Sequence, residues 1–174
     1  MASTTLMAAR PTPPSSPSLL QMKQRDAVYV VAVPLRAANG PPQMLVSAAY
    51  SLALWDAQHF MVAIKPDPSL AQAFIFDFQP KDPEGFYAAF AAAFQRPIPG
   101  LILKRAMRRL PKSRCWFVGY ASSDGVDVAD KFSEDWPTDL IVGKHDCRNY
   151  TNELVEHLTG EQRVLDRLRA SLSI

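Results

Sequence analysis

Two short stretches constrain this chain more than any others: "HFMVAIKP" (59–66) and "QAFIFDFQP" (72–80). Side chains of an extended strand point alternately to opposite faces, so each stretch divides into two faces. In the first, His59, Met61 and Ala63 share one face, and Phe60, Val62 and Ile64 share the other. In the second, Phe74, Phe76 and Phe78 lie on one face, with Ile75, Asp77 and Gln79 opposite. Pro66 and Pro68 end the first stretch, and the loop "KPDPS" leads into the second, which predicts a hairpin-like pair of strands. "AVYVVAVPL" (27–35) and "CWFVGY" (115–120) are also strand-like, being rich in β-branched and aromatic residues.

Helical patterns stand between and after these strands. "EGFYAAFAAAFQ" (84–95) is dominated by Ala and repeats Phe86, Phe90 and Phe94, which predicts a helix with an aromatic stripe. "LILKRAMRRLPKSR" (101–114) reads as a short basic amphipathic helix, and "VADKFSEDW" as another short helix. A helix is predicted over 147–159, stopped by Gly160, and a last one within "EQRVLDRLRASL" (161–172). "MLVSAAYSLALW" (44–55) fits a strand or a short helix equally well. Strands and helices mix without regular βαβ alternation, so the expected class is α+β.

The composition is that of a globular chain, with 48% hydrophobic and 21% charged residues among 174. A net charge of +2 gives no argument for nucleic acid, and none is expected as a partner. Two cysteines make neither a disulfide framework nor a four-ligand zinc set. No apolar run is long enough to predict a membrane span. Residues 1–25 stand apart: they hold no Asp or Glu, are rich in Ser, Thr, Ala and Pro, and carry Arg10, Lys23 and Arg25. That composition suits a plastid transit peptide, with a disordered tail on a cytoplasmic protein as the alternative. The remainder, 26–174, is expected to form a single domain.

The chemistry concentrates in "HDCRNYTNELVEHLTGE" (145–161). Asp146 suits an N-cap, which places Cys147 at the first helical position. There the helix dipole and unpaired backbone N–H groups favour the thiolate, the form that attacks carbonyls. Cys147, Tyr150, Leu154 and Leu158 fall on one helix face, so the thiol is expected to point inward, which also suits a small buried hydrophobe. Three histidines are available as a base. His145 is adjacent but outside the helix, His157 lies nearly three turns on, and His59 opens a strand that folding can bring to the cysteine. Asp77 interrupts an aromatic strand, where an isolated buried carboxylate is costly. A neighbouring His⁺ would satisfy it and be oriented by it, with Gln79 on the same face as an alternative third residue.

These residues resemble the permuted papain-like thiol proteins: the PPPDE peptidases (the deSUMOylating isopeptidase group) and the lecithin-retinol acyltransferase-like proteins. The resemblance covers about 40 residues in two blocks. In the first group a hydrophobic run precedes Asn-Cys-x-x-Phe and, later, Leu-Thr-Gly. Here Leu140 and Ile141, Asp146-Cys147, Tyr150 and Leu158-Thr159-Gly160 take those places. The resemblance implies a small antiparallel sheet packed on the cysteine helix, with Cys147 as nucleophile, His59 as base and Asp77 as orienter. It implies hydrolysis or acyl transfer at an amide, isopeptide or (thio)ester bond on a protein or acyl-bearing substrate, without a cofactor. Two departures bear on the charge at the thiol: Asp146 replaces the Asn, and Arg148 follows the cysteine. A non-catalytic interaction module is the alternative, binding a protein or anionic partner through the basic stretch 104–114, with Lys104, Arg105, Arg108 and Arg109 as its contacts.

Overall fold

In the computed structural model, the residues described are 25–35, 58–66, 71–83, 95–122 and 124–172. They form strands β1 (Ala27–Pro34), β2 (Gln58–Lys65), β3 (Ala73–Pro80), β4 (Ile98–Met107), β5 (Cys115–Tyr120) and β6 (Asp139–Leu140). Three described helices follow in the C-terminal part: α1 (Gly125–Glu134), α2 (Cys147–Thr159) and α3 (Val164–Ser171). The strands make one antiparallel sheet in the order β5-β1-β2-β3-β4-β6. The architecture is α+β. The predicted helix at 84–95 and the ambiguous segment at 44–55 lie outside the described residues, apart from Gln95.

The alternation read from the sequence divides the core as expected. Val28, Val30, Phe60, Val62, Ile64, Phe76 and Phe78 point to the helical side and pack with Tyr150, Leu154, Val155 and Leu158 of α2. Val31, Met61, Ala63 and Ile75 form a second cluster on the opposite side, flanked by Tyr29, Val33, Met107, Leu110 and Cys115. Burial of the two inner rows of β2 and β3 is close to complete, with Phe60, Val62, Ile64, Ile75, Phe76 and Phe78 at 0% exposure. Each such side chain removed from water contributes roughly 1.5–3 kcal/mol before conformational entropy is subtracted. Gly100 belongs to this packing, because a Cβ there would lie 2.6 Å from Cε2 of Phe78.

One expectation fails. The segment 101–114 is not a helix: its first part belongs to strand β4, which pairs with β3 from Ala73↔Met107 to Pro80↔Gly100. Residues 108–114 follow as bends and irregular chain. A segment whose charges and apolar residues fit either period takes the one its neighbour can pair with, and β3 offers eight residues, five of them buried, whose backbone needs a partner. The side chains bear the strand period: Ile102 packs on the helical side and Met107 on the other. Lys104 lies over the rings of Phe74 and Phe76 at 5.4 and 5.6 Å, while Arg105 turns to the opposite face.

Candidate active site

Helix α2 starts where its capping chemistry dictates. Asp146 has extended backbone, its carboxylate accepts from the Arg148 N–H at 2.8 Å, and Asn149 accepts from the Asp146 N–H at 3.1 Å. This capping box satisfies donors that the first turn would otherwise leave unpaired. The other carboxylate oxygen of Asp146 accepts from the Gly143 N–H at 2.7 Å, tying the helix to the preceding turn. Gly143 has φ +82°, a left-handed conformation that glycine adopts without steric cost. At the far end Gly160 closes the helix at φ +79°. Cys147 is therefore the first helical residue, and it is buried with Tyr150, Leu154 and Leu158 on one face.

The ladder between β2 and β3 pairs Val62–Ile64 with Phe74–Phe76. Toward the start of β2, beyond those pairs, two polar side chains meet. His59 Nε2 lies 2.5 Å from Asp77 Oδ1, both groups buried. The Cys147 side chain stands near enough to the imidazole to help raise its pKa. The start of α2 therefore lies near the start of β2, and Cys147, His59 and Asp77 form one cluster. Exposure is 8% and 9% for Cys147 and His59 and 1% for Asp77, so the carboxylate is the most deeply buried of the three.

Burial by itself pushes the imidazole toward the neutral form, but the hydrogen bonds and charges of Asp77 and Cys147 override it and raise the His59 pKa to about 10. His59 is thus held as a cation between two groups that can be anionic. Asp77 is satisfied twice: its second oxygen accepts from the Arg105 guanidinium at 2.6 Å. Sequence reasoning placed Arg105 among partner-binding cations. Its membership of this site becomes visible only once 98–107 is assigned as a strand, which puts it on the same face as Asp77. Lys104, also in that group, is paired with Asp130 at 2.5 Å. Arg108 and Arg109 are exposed in the segment after β4.

Asp146 stands next to the thiol and is ionised. Burial raises its pKa, but the Arg148 side chain and the backbone N–H groups of Gly143 and Arg148 outweigh that and lower it. Its charge is met by the Arg148 guanidinium at 3.1 Å. The other histidines belong elsewhere. His145 stacks on Trp136 with ring centroids 4.7 Å apart and bonds the Pro137 carbonyl at 2.9 Å, and His157 packs against Phe132. Both line an open surface cavity of about 490 Å³ that none of Cys147, His59 and Asp77 borders. Gln79, the alternative third residue, is partly buried near the end of β3, and Asp77 holds the bond to His59. Cys115, at the start of β5, is half-buried, and burial raises its thiol pKa. Among the described residues there is no group of three or more His, Cys, Asp or Glu suited to a metal ion, and no helix is long and apolar enough to cross a membrane.

Comparisons with family models, with curated proteins and with solved structures find no match for this chain.

Proposed function

We propose that this chain is a cysteine-dependent hydrolase or acyl-transfer enzyme with a permuted papain-like arrangement. Its substrate is an amide, isopeptide or (thio)ester carbonyl on a protein or acyl-bearing molecule. The observation that carries the reading is the Cys147–His59–Asp77 cluster, in which a thiol at a helix N-terminus lies near an imidazole held by a buried carboxylate. The chain order, histidine strand before cysteine helix, is the order of the families it resembles.

In the reaction, the Cys147 sulfur attacks the carbonyl carbon and a C–S bond forms. The Cys147 backbone N–H, at the first helical position and without an intrahelical acceptor, is one donor for the developing oxyanion. His59 gives its proton to the leaving nitrogen, oxygen or sulfur as the scissile bond breaks. Water or an acceptor group then attacks the acyl-enzyme while His59 takes the incoming proton. The C–S bond breaks, and the sulfur and His59 return to their starting state. Asp77 keeps the ring oriented throughout, as the third member of a triad does. The composition of residues 1–25 supports a chloroplast address for the protein.

Competitive labelling with iodoacetamide at neutral pH tests the enzyme reading. Cys147 should react at least about tenfold faster than Cys115, and His59→Ala should abolish the difference. If Cys147 reacts no faster than a free cysteine in a peptide, the enzyme reading fails. The interaction-module reading would then rest on Arg108, Arg109 and Lys112, which are exposed.

A further inference from the structure

We infer that Arg105 is a positioning residue of this site, acting on His59 through Asp77. The inference rests on the Cys147–His59–Asp77 reading above and adds a fourth member from a different strand.

The geometry divides one carboxylate between two cations. Oδ1 of Asp77 faces His59 Nε2 at 2.5 Å and Oδ2 faces the Arg105 guanidinium at 2.6 Å. Asp77 projects from β3, His59 from β2 and Arg105 from β4, so the three come from adjacent strands. The register explains why Arg105 reaches. Asp77 is opposite Leu103 and Ile75 is opposite Arg105, so Asp77 and Arg105 are diagonal neighbours on one face. A guanidinium suits the task because it is charged at every relevant pH and holds its donors in a rigid plane. The Arg105 side chain is itself steadied where its guanidinium approaches the Met61 sulfur at 3.9 Å.

The consequence for the site follows from what Asp77 would do without it. A buried carboxylate with one cationic partner can rotate about its χ2 bond and present either oxygen, or a bifurcated contact, to the imidazole. With Oδ2 fixed by Arg105, Oδ1 is left in a single place, and the imidazole ring with it. The imidazole then keeps one orientation beside Cys147. Arg105 touches neither the sulfur nor the carbonyl to be attacked. Its side chain remains 45% exposed, so the pair with Asp77 is partly open to solvent.

The test is a double-mutant cycle read in two ways. Arg105→Ala should slow iodoacetamide labelling of Cys147 by about tenfold, the equivalent of one pKa unit. Arg105→Lys, which keeps a charge but not the planar fork, should recover part of that loss. In an Asp77→Asn background, Arg105→Ala should cause less than about a twofold further change, because the group it holds is gone. Arg96→Ala, which removes an exposed cation elsewhere, serves as the charge control. The second readout is the NMR signal of the His59 Nε2 proton, which the short bond to Asp77 moves far downfield. It should broaden or move upfield in Arg105→Ala, whatever the reactivity of the thiol. An unchanged labelling rate together with an unchanged proton signal overturns the inference, and so does a full loss that persists in Asp77→Asn. If Cys147 proves unreactive in the unaltered chain but the proton signal still depends on Arg105, the enzyme reading falls and the positioning role stands.

Discussion

His59 Nε2 and Asp77 Oδ1 stand 2.5 Å apart, although 18 positions separate the residues in the chain. Each is costly to bury alone. Together they form a buried polar pair, which the partly exposed Arg105 extends on one side and Cys147 adjoins on the other. Removing one member leaves its neighbour unpaired.

The pH dependence of stability has a definite sign. The His59 pKa is raised in the fold, from an ordinary 6.5 to about 10. Its stabilising contribution is therefore complete below the ordinary value and is lost as pH rises through about 10. Denaturant unfolding followed from pH 7 to pH 10.5 should give a falling midpoint. In Asp77→Asn the fall should be much shallower, even though that variant starts from lower stability. An equal slope in both proteins would contradict the assignment of Asp77 as the main charge partner.

Turnover and thiol alkylation should part company in alkaline solution. Acyl transfer needs the His59 proton for the leaving group, so turnover of an amide substrate should decline as pH rises through about 10. Alkylation needs only the thiolate and should not decline there. Parallel decline of both rates would mean that His59 does not act as the proton donor.

Asp146 and Arg148 should act as a compensated pair beside the sulfur. Arg148→Ala leaves an ionised carboxylate next to Cys147 and should slow its alkylation several-fold, about 1 kcal/mol. Asp146→Asn in the same background should restore the rate, since Asn remains a good N-cap while removing the charge. Asp146→Ala, by contrast, loses the cap and should cost about 1–2 kcal/mol in chemical denaturation. Failure of Asp146→Asn to restore the rate would locate the effect of Arg148 elsewhere.

Gly100 should tolerate no side chain. A Cβ there would lie 2.6 Å from Phe78 Cε2 and 2.9 Å from the Thr138 carbonyl. Phe78 packs in turn on Tyr150 and Trp136, so it has little room to yield. Gly100→Ala should destabilise by about 1–3 kcal/mol in denaturant titration. A neutral substitution would show that the β4–β6 edge relaxes more readily than its packing indicates.

The residues differ in how much of their structure could be read in advance. Strict alternation in "HFMVAI" and "AFIFDF" was enough to assign β2, β3 and the face of each side chain, because the strand period is a local property. The cap at Asp146, the position of Cys147 at the head of α2 and the stop at Gly160 were equally local, since capping involves residues within one turn. The inward row Cys147, Tyr150, Leu154 and Leu158 followed from helical spacing and is buried. The basic stretch after Gly100 was misread because its apolar and charged residues satisfy a helical period as well as a strand period. Only the presence of β3 alongside decides between them.

By itself, then, the sequence determined β1, β2, β3, β5 and α2, the α+β mixture and the two residues, Cys147 and Asp77, that look out of place in their surroundings. The tertiary structure alone decided which histidine Asp77 meets, that Arg105 shares its carboxylate, and that His145 and His157 are committed to Trp136 and Phe132. The physical reason is range. Periodicity, capping and turn chemistry act over a few residues. The charge state of a buried site is fixed instead by groups from β2, β3, β4 and α2, brought together by sheet register and core packing.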